Sequence, residues 1–129
     1  MKLLLDTHIW LWSLHDPHRL GKRVQNELRD SANERWLSPI STWEALTLNA
    51  KNRIRLPANL EEWVARATGP FREAPLTHEI ALAARQLSLP DEDPADRFLA
   101  ATAQVLDLTL VTADAMLLGL GEIATLGNR

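Results

Sequence analysis

The stretch KLLLDTHIW, residues 2–10, decides the fold of this chain. Residues 2–5 are mostly apolar and too few for a helix, so they predict a short buried strand. Residues 7–15 follow with helix-like spacing, which Asp16-Pro17 closes. A buried strand that passes directly into a helix is typical of a parallel sheet covered by helices. Asp6 stands at the junction, where ligands gather in such sheets.

The rest of the chain repeats this alternation of short strands and helical segments. It predicts an α/β fold, a parallel sheet with helices on both faces. No repeat, low-complexity tract or linker interrupts the 129 residues, so we expect a single domain over residues 1–129. The further strands are predicted at residues 35–38, 71–76, 108–112 and 122–126, and the further helices at 20–29, 41–52, 59–68, from 77, 94–106 and from 114.

Composition excludes several kinds of protein. The chain has no cysteine, so it has neither a disulfide framework nor a thiolate metal site. No apolar run approaches the ~18 residues of a membrane span, and Asp6 interrupts the apolar start too early for a signal peptide. We therefore expect a cytoplasmic protein without membrane contact. The net charge of −3 creates no general attraction for nucleic acid, which would need local basic groups.

Four carboxylates fall at the ends or starts of predicted elements. Asp6 and Asp114 follow apolar strands, while Glu44 and Asp96 lie in the first turns of helices. Each has a simpler explanation: helix caps for Asp6 and Asp114, the helix dipole for Asp96, and a capping box between Ser41 and Glu44. These separate explanations do not account for all four acids falling where one sheet edge would bring them together, because clustered acids are costly unless a cation neutralises them. The four together predict an acidic pocket that binds a hard divalent cation.

The charges around Asp96 are expected to serve the helix rather than the pocket. Asp93 would cap the helix, and Asp91 and Glu92 would form a solvated loop run. Helical spacing places Arg97 on the polar side of its helix. An ion pair with Asp93 is its simplest role, which would make Arg97 structural.

The tryptophans suggest a second surface. Trp10 and Trp12 lie on opposite sides of the helix after Asp6, and the sheet can cover only one side. We expect one of them in the core and the other facing a neighbouring helix or a partner chain. Trp36, Trp43 and Trp63 are most simply core residues or groove walls.

At these residues the sequence resembles the PIN-domain family and, within it, the VapC toxins of toxin–antitoxin pairs. The resemblance spans almost the whole chain, and four motifs carry it together in the family's order and spacing. They are LLDTH at residues 4–8, SPISTWE at 38–44, DPADRFLAA at 93–101 and TAD at 112–114.

The resemblance implies a metal-dependent ribonuclease that hydrolyses RNA phosphodiester bonds with Mg²⁺ or Mn²⁺. It also implies the strand order 3-2-1-4-5, frequent homodimers, and a cognate VapB-type antitoxin that wraps the first helices. The catalytic and metal-binding acids would be Asp6, Glu44, Asp96 and Asp114, supported by the hydroxyls of Thr7 and Thr112.

Three positions depart from close relatives of that family. Leu48 stands where lysine is common, Asn52 where glycine is common, and Asp91 where histidine is common. These changes bear on RNA contact and leave the acids intact. The basic clusters around Arg19 and Arg53 are candidates for that contact.

Rival functions are distinguished by single residues. A dehalogenase-like phosphatase needs a second aspartate two residues after the first, where His8 stands, and a receiver domain needs a late lysine, whereas none follows Lys51. The remaining alternative is a catalytically inactive PIN-like module that only binds a partner through the helix of Trp10 and Trp12. Metal titration separates that module from an enzyme, because only the enzyme requires a metal site.

Overall fold

A computed structural model describes residues 1–90 and 93–129. The solvated run expected at Asp91 and Glu92 lies outside the described residues. Among the described residues, every helix is too short or too polar to span a lipid bilayer. The strands are β1 Lys2–Leu5, β2 Glu34–Leu37, β3 Arg72–Glu73, β4 Thr109–Thr112 and β5 Ala124–Gly127, and the helices are α1 Thr7–His15, α2 Lys22–Arg29, α3 Pro39–Ala50, α4 Leu60–Thr68, α5 His78–Gln86, α6 Pro94–Leu106 and α7 Ala115–Leu118, with a 3₁₀ turn at Pro17–Arg19.

The strands form one parallel sheet in the order β3-β2-β1-β4-β5, which confirms the predicted order. β1 lies between β2 and β4, and Leu5 is in register with Val111. The amide of Asp6 donates to the carbonyl of Val111 at 2.9 Å, so the pairing continues one residue past β1. Asp6 and the end of β4 therefore meet at the carboxyl edge of the sheet.

Both faces of the sheet are covered, as the strand composition predicts. Leu3 and Leu5 point into a core with α1 to α4, and Leu4 points into a second core with α5 to α7. All three leucines are fully buried, and each such burial is worth roughly 1.5–3 kcal/mol. This alternation orients β1, and with it Asp6 and Thr7 just beyond its end.

Trp10 is the core member of the tryptophan pair on α1. Its side chain is fully buried, its Nε1 donates to the carbonyl of Ala67 at 3.0 Å, and its ring centroid lies 5.5 Å from that of Trp63. The apolar side of α1 that the sheet cannot cover therefore packs against α4. Trp12 is half-buried, whereas Trp43 on α3 is 60% exposed and forms a groove wall rather than core.

Several predicted element boundaries were wrong by one to three residues, and two of the differences have a local physical reason. The helix expected from Ser41 begins earlier, because Ser38 is the cap: its Oγ accepts from the amide of Ile40 at 3.1 Å, and Pro39 suits the first helical position. The third strand shrinks from residues 71–76 to Arg72–Glu73 at the sheet edge. Prolines on both sides of this segment limit the pairing, since proline cannot donate to a ladder.

Candidate active site

Asp6 is a buried carboxylate with both oxygens engaged. Oδ1 accepts from the amide of Thr7 at 2.7 Å, which caps α1, and Oδ2 accepts from the hydroxyl of Thr112 at 2.6 Å. The helix-cap explanation is therefore correct but incomplete. The second bond joins the ends of β1 and β4 and holds the carboxylate in one orientation.

Glu44 reaches the same edge from α3. With Ser38 as the helix cap, the capping box of Ser41 and Glu44 does not exist. Instead the Thr7 hydroxyl donates to Glu44 Oε1 at 2.5 Å and is hydrogen-bonded to the Ser41 hydroxyl at 3.0 Å. Ser41 and Glu44, three residues apart on one helix face, thus meet the residue that follows Asp6. Sequence reasoning missed this role of Ser41, although that spacing was a signal for it.

Asp114 follows β4 and caps the short helix α7. Its Oδ1 accepts from the amides of Met116 and Leu117 at 2.8 and 3.3 Å. Its own amide donates to the hydroxyl oxygen of Thr112 at 3.0 Å. Thr112 thereby connects Asp6 with Asp114 through one buried hydroxyl, which acts as donor to the first and acceptor from the second.

Asp96 is the least neutralised acid of the group. It lies half-buried in the first turn of α6, whose cap is Asp93: Asp93 Oδ1 accepts from the amides of Ala95 and Asp96 at 3.0 and 3.4 Å. Within residues 1–90 and 93–129, the Asp96 carboxylate makes neither a hydrogen bond nor an ion pair. Burial, followed by repulsion from Asp93, Asp6, Asp114 and Glu44, raises its pKa to about 7.

The electrostatics show that the four acids act on one another. Burial raises the pKa of Asp6 and of Glu44, although hydrogen bonds from Thr112 and Thr7 oppose the rise. No cation in the described part of the chain forms an ion pair with any of them. The same residues contain no group of three or more His, Asp or Glu side chains that could hold a metal ion as they stand. The acids are close enough to repel one another, but in the described residues they are not arranged as a complete set of metal ligands.

The burial of Asp96 and its repulsion by the other acids predict how stability depends on pH in metal-free buffer. The raised pKa of Asp96 means that the folded state binds its proton more tightly than the unfolded state, so the stability it contributes at low pH is lost as pH rises from about 4 to about 7. We expect the melting temperature of wild type relative to Asp96→Asn to fall between about pH 4 and about pH 7 and to level off above that range. Parallel curves for the two proteins would contradict the raised pKa.

Arg97 lies inside the molecule and not on the polar side of α6, which corrects the prediction. It is buried, and its guanidinium donates to the carbonyls of Ala84 and Leu87 at 2.6 and 3.2 Å and to that of Leu89. Asp93 and Arg97, both within the described residues, form no ion pair. The reason is that α5 ends without a capping glycine, and its last carbonyls need donors.

Four interacting acids lie around the carboxyl edge of a five-stranded parallel sheet, and the sequence matches a known family with this arrangement of strands and acids. A sequence profile of the PIN domain family matches residues 3–122. Ribonuclease VapC22 of Mycobacterium tuberculosis (strain ATCC 25618 / H37Rv) is 31% identical over 115 residues, which cover 87% of this chain and 86% of that protein. The chain belongs to the PIN-domain family.

Solved structures of low sequence identity share the fold. DNA-bound VapBC from Salmonella typhimurium has a TM-score of 0.75 at 14% identity, with 100% of this chain and 99% of that chain covered. VapBC2 from Rickettsia felis bound to a promoter DNA fragment scores 0.73 at 15% identity, with both chains covered completely. FitAcB from Neisseria gonorrhoeae scores 0.69 at 22% identity, with 98% and 97% covered.

Proposed function

We propose that the protein is a metal-dependent endoribonuclease and the toxin of a VapBC-type toxin–antitoxin pair. The observation that carries the proposal is the set of four mutually repelling acids at the sheet edge, Asp6, Glu44, Asp96 and Asp114, within a chain 31% identical to a VapC ribonuclease. Asp96 lies in the first turn of α6, where the helix dipole favours a carboxylate. Four other acids repel it, however, and within the described residues its carboxylate has neither a hydrogen bond nor a cation partner.

The donors fit Mg²⁺ or Mn²⁺, because these hard cations prefer carboxylate oxygens and no cation of the described residues forms an ion pair with the acids. Asp6 and Asp96 are the proposed direct ligands, while Glu44 and Asp114 would ligate directly or through water. When bound, the cation would activate water and stabilise charge on the phosphate. Glu44 or Asp114 would take the proton from the attacking water, and the Thr7 and Thr112 hydroxyls would keep the acids oriented.

The proposed partners are RNA, a VapB-type antitoxin and a second copy of the chain. The antitoxin is proposed because VapBC complexes share this fold. Apolar surface beside the acids supports a homodimer: a groove of about 520 Å³, with exposed Trp43 on its wall, also contains Glu44, Leu76 and Phe98. Sedimentation of wild type and Trp43→Ala would test this contact.

The proposed activity is tested by incubating labelled RNA with purified protein in Mn²⁺, in Mg²⁺ and in EDTA. Cleavage with either metal and none in EDTA is the expected result. Sequencing of the RNA ends would then identify the cleavage position. Intact RNA under all three conditions, with folded protein, would overturn the proposal.

Thr112→Val is predicted to weaken metal binding without unfolding the protein. Valine keeps the shape of this buried residue but removes the hydroxyl that orients Asp6. We expect Mn²⁺ affinity to fall about 10- to 100-fold, as for other residues that orient metal ligands. Thr102→Val is the matched control, since Thr102 is equally buried and bonds only within α6. Equal calorimetric affinities for the two variants would contradict the role of Thr112.

The alternative is an inactive PIN-like module that only binds a partner. One observation favours it: no three acids of the described residues stand close enough to hold a metal as they are. Calorimetric titration with Mn²⁺ separates the two functions. Binding that Asp96→Asn removes supports the enzyme, and the absence of binding by wild type supports the module.

A further inference from the structure

A strip of three side chains at the protein surface leads away from the acids along α1. It consists of His8 and Trp12 on α1 and Arg19 in the 3₁₀ turn, and we call it the His8–Arg19 strip. His8 and Arg19 are exposed, and Trp12 is half-buried. His8 follows Asp6 by two residues and lies in the first turn of α1, the helix that Asp6 caps. The strip thus begins next to Asp6.

The three side chains contact one another in sequence. The rings of His8 and Trp12 lie 6.0 Å apart at 54°, and the Arg19 guanidinium carbon lies 4.4 Å from the Trp12 ring centroid. Arg19 is therefore within about 10 Å of His8. At a rise of roughly 3.4 Å per nucleotide in a stacked strand, this distance corresponds to no more than about three nucleotides.

The positive charge of Arg19 makes this strip suited to an anionic ligand. A polyanion that approaches four acids in a protein of net charge −3 is repelled unless local cations hold it. Within the described residues Arg19 has no acidic partner. Its guanidinium is held against an aromatic ring, so less side-chain freedom is lost when it binds a phosphate.

We infer that the His8–Arg19 strip binds the backbone of single-stranded RNA beside the scissile phosphate, with Arg19 on a phosphate no more than about three nucleotides from the nucleotide at His8. The inference rests on the proposed ribonuclease function and deepens it. Trp12 acts here as a positioning residue, because it holds the guanidinium of Arg19. His8 lies between the two sites and faces the nucleotides that join them.

The test measures binding of fluorescein-labelled oligouridylate by anisotropy at several salt concentrations. The full chain carries Asp96→Asn so that the RNA stays intact. In this background Arg19→Gln should weaken binding about tenfold and reduce the slope of log K against log salt by about 0.7, the value for one phosphate contact on a single strand. Lys2→Gln is the matched control, because exposed Lys2 lies at the opposite end of β1, and it should change neither quantity.

Trp12→Leu distinguishes positioning from direct contact. Leucine keeps apolar packing but not the ring, so binding should weaken about two- to fivefold, the range for a surface cation–π contact. Combined with Arg19→Gln it should add no further loss, since its effect passes through Arg19. Additive losses would overturn the positioning role. A thermal melt of each variant confirms that the fold is retained.

The outcomes separate this inference from the proposed function. If wild type leaves RNA intact in Mn²⁺, the ribonuclease proposal fails and the inference fails with it. If wild type cleaves RNA but the Asp96→Asn protein binds no oligouridylate, only the inference is overturned. The same holds if adding Arg19→Gln to Asp96→Asn changes neither the affinity nor the salt slope. The strip would then belong to a protein partner.

Discussion

Asp96→Asn is expected to abolish RNA cleavage and leave the fold intact. Asparagine keeps the size of the side chain and removes one charge from the proposed cation site, so cleavage should fall by at least about a hundredfold. The same change removes a charge that four other carboxylates repel. Stability in metal-free buffer at neutral pH should therefore hold or rise.

Three measurements check this prediction together: the rate of RNA cleavage in Mn²⁺, the melting temperature in EDTA, and Mn²⁺ affinity. Asp107→Asn is a suitable control, because Asp107 lies at the far end of α6 and is exposed. An Asp96→Asn protein that cleaves RNA at the wild-type rate would remove Asp96 from the proposed site. Loss of folding would instead indicate a structural acid.

Arg97→Ala is expected to be among the most destabilising single changes in the chain. It removes a buried guanidinium from the carbonyls of Ala84, Leu87 and Leu89 and leaves these acceptors without that donor. Hydrogen bonds to charged groups are worth about 1.5–3 kcal/mol each but do not add fully, so we expect a loss of about 3–5 kcal/mol in the free energy of unfolding. Urea denaturation measures it directly.

Two control variants separate the effect on stability of removing a buried side chain from that of removing a positive charge. Arg66 is exposed on α4, and Arg66→Ala should change the free energy of unfolding by no more than about 0.5 kcal/mol. Arg97→Lys should fall between wild type and Arg97→Ala, because lysine keeps the charge but not the forked geometry. An Arg97→Ala protein that is as stable as wild type yet inactive would contradict a structural role.

The sequence by itself determined the elements and the side of the sheet on which the acids gather. Residues 2–5 and 108–112 are short apolar runs, and such runs followed by helical spacing have few alternatives to buried parallel strands. Once both are parallel strands, Asp6 and Asp114 must follow their carboxyl ends. Local pattern also predicted the caps Asn59, Thr77 and Asp93, because a cap bond spans only two or three residues.

Only the tertiary structure decided which partner each side chain takes. The bond from Thr112 to Asp6 spans 106 residues, and that from Thr7 to Glu44 spans 37. Helical spacing could not predict that Arg97 enters the core, because the carbonyls at the end of α5 attract it there. The helical pattern of the sequence does not show which of Trp10 and Trp12 is buried, and the position of α4 makes it Trp10. Periodicity describes the faces of an element, whereas the partner of each face depends on how distant segments pack together.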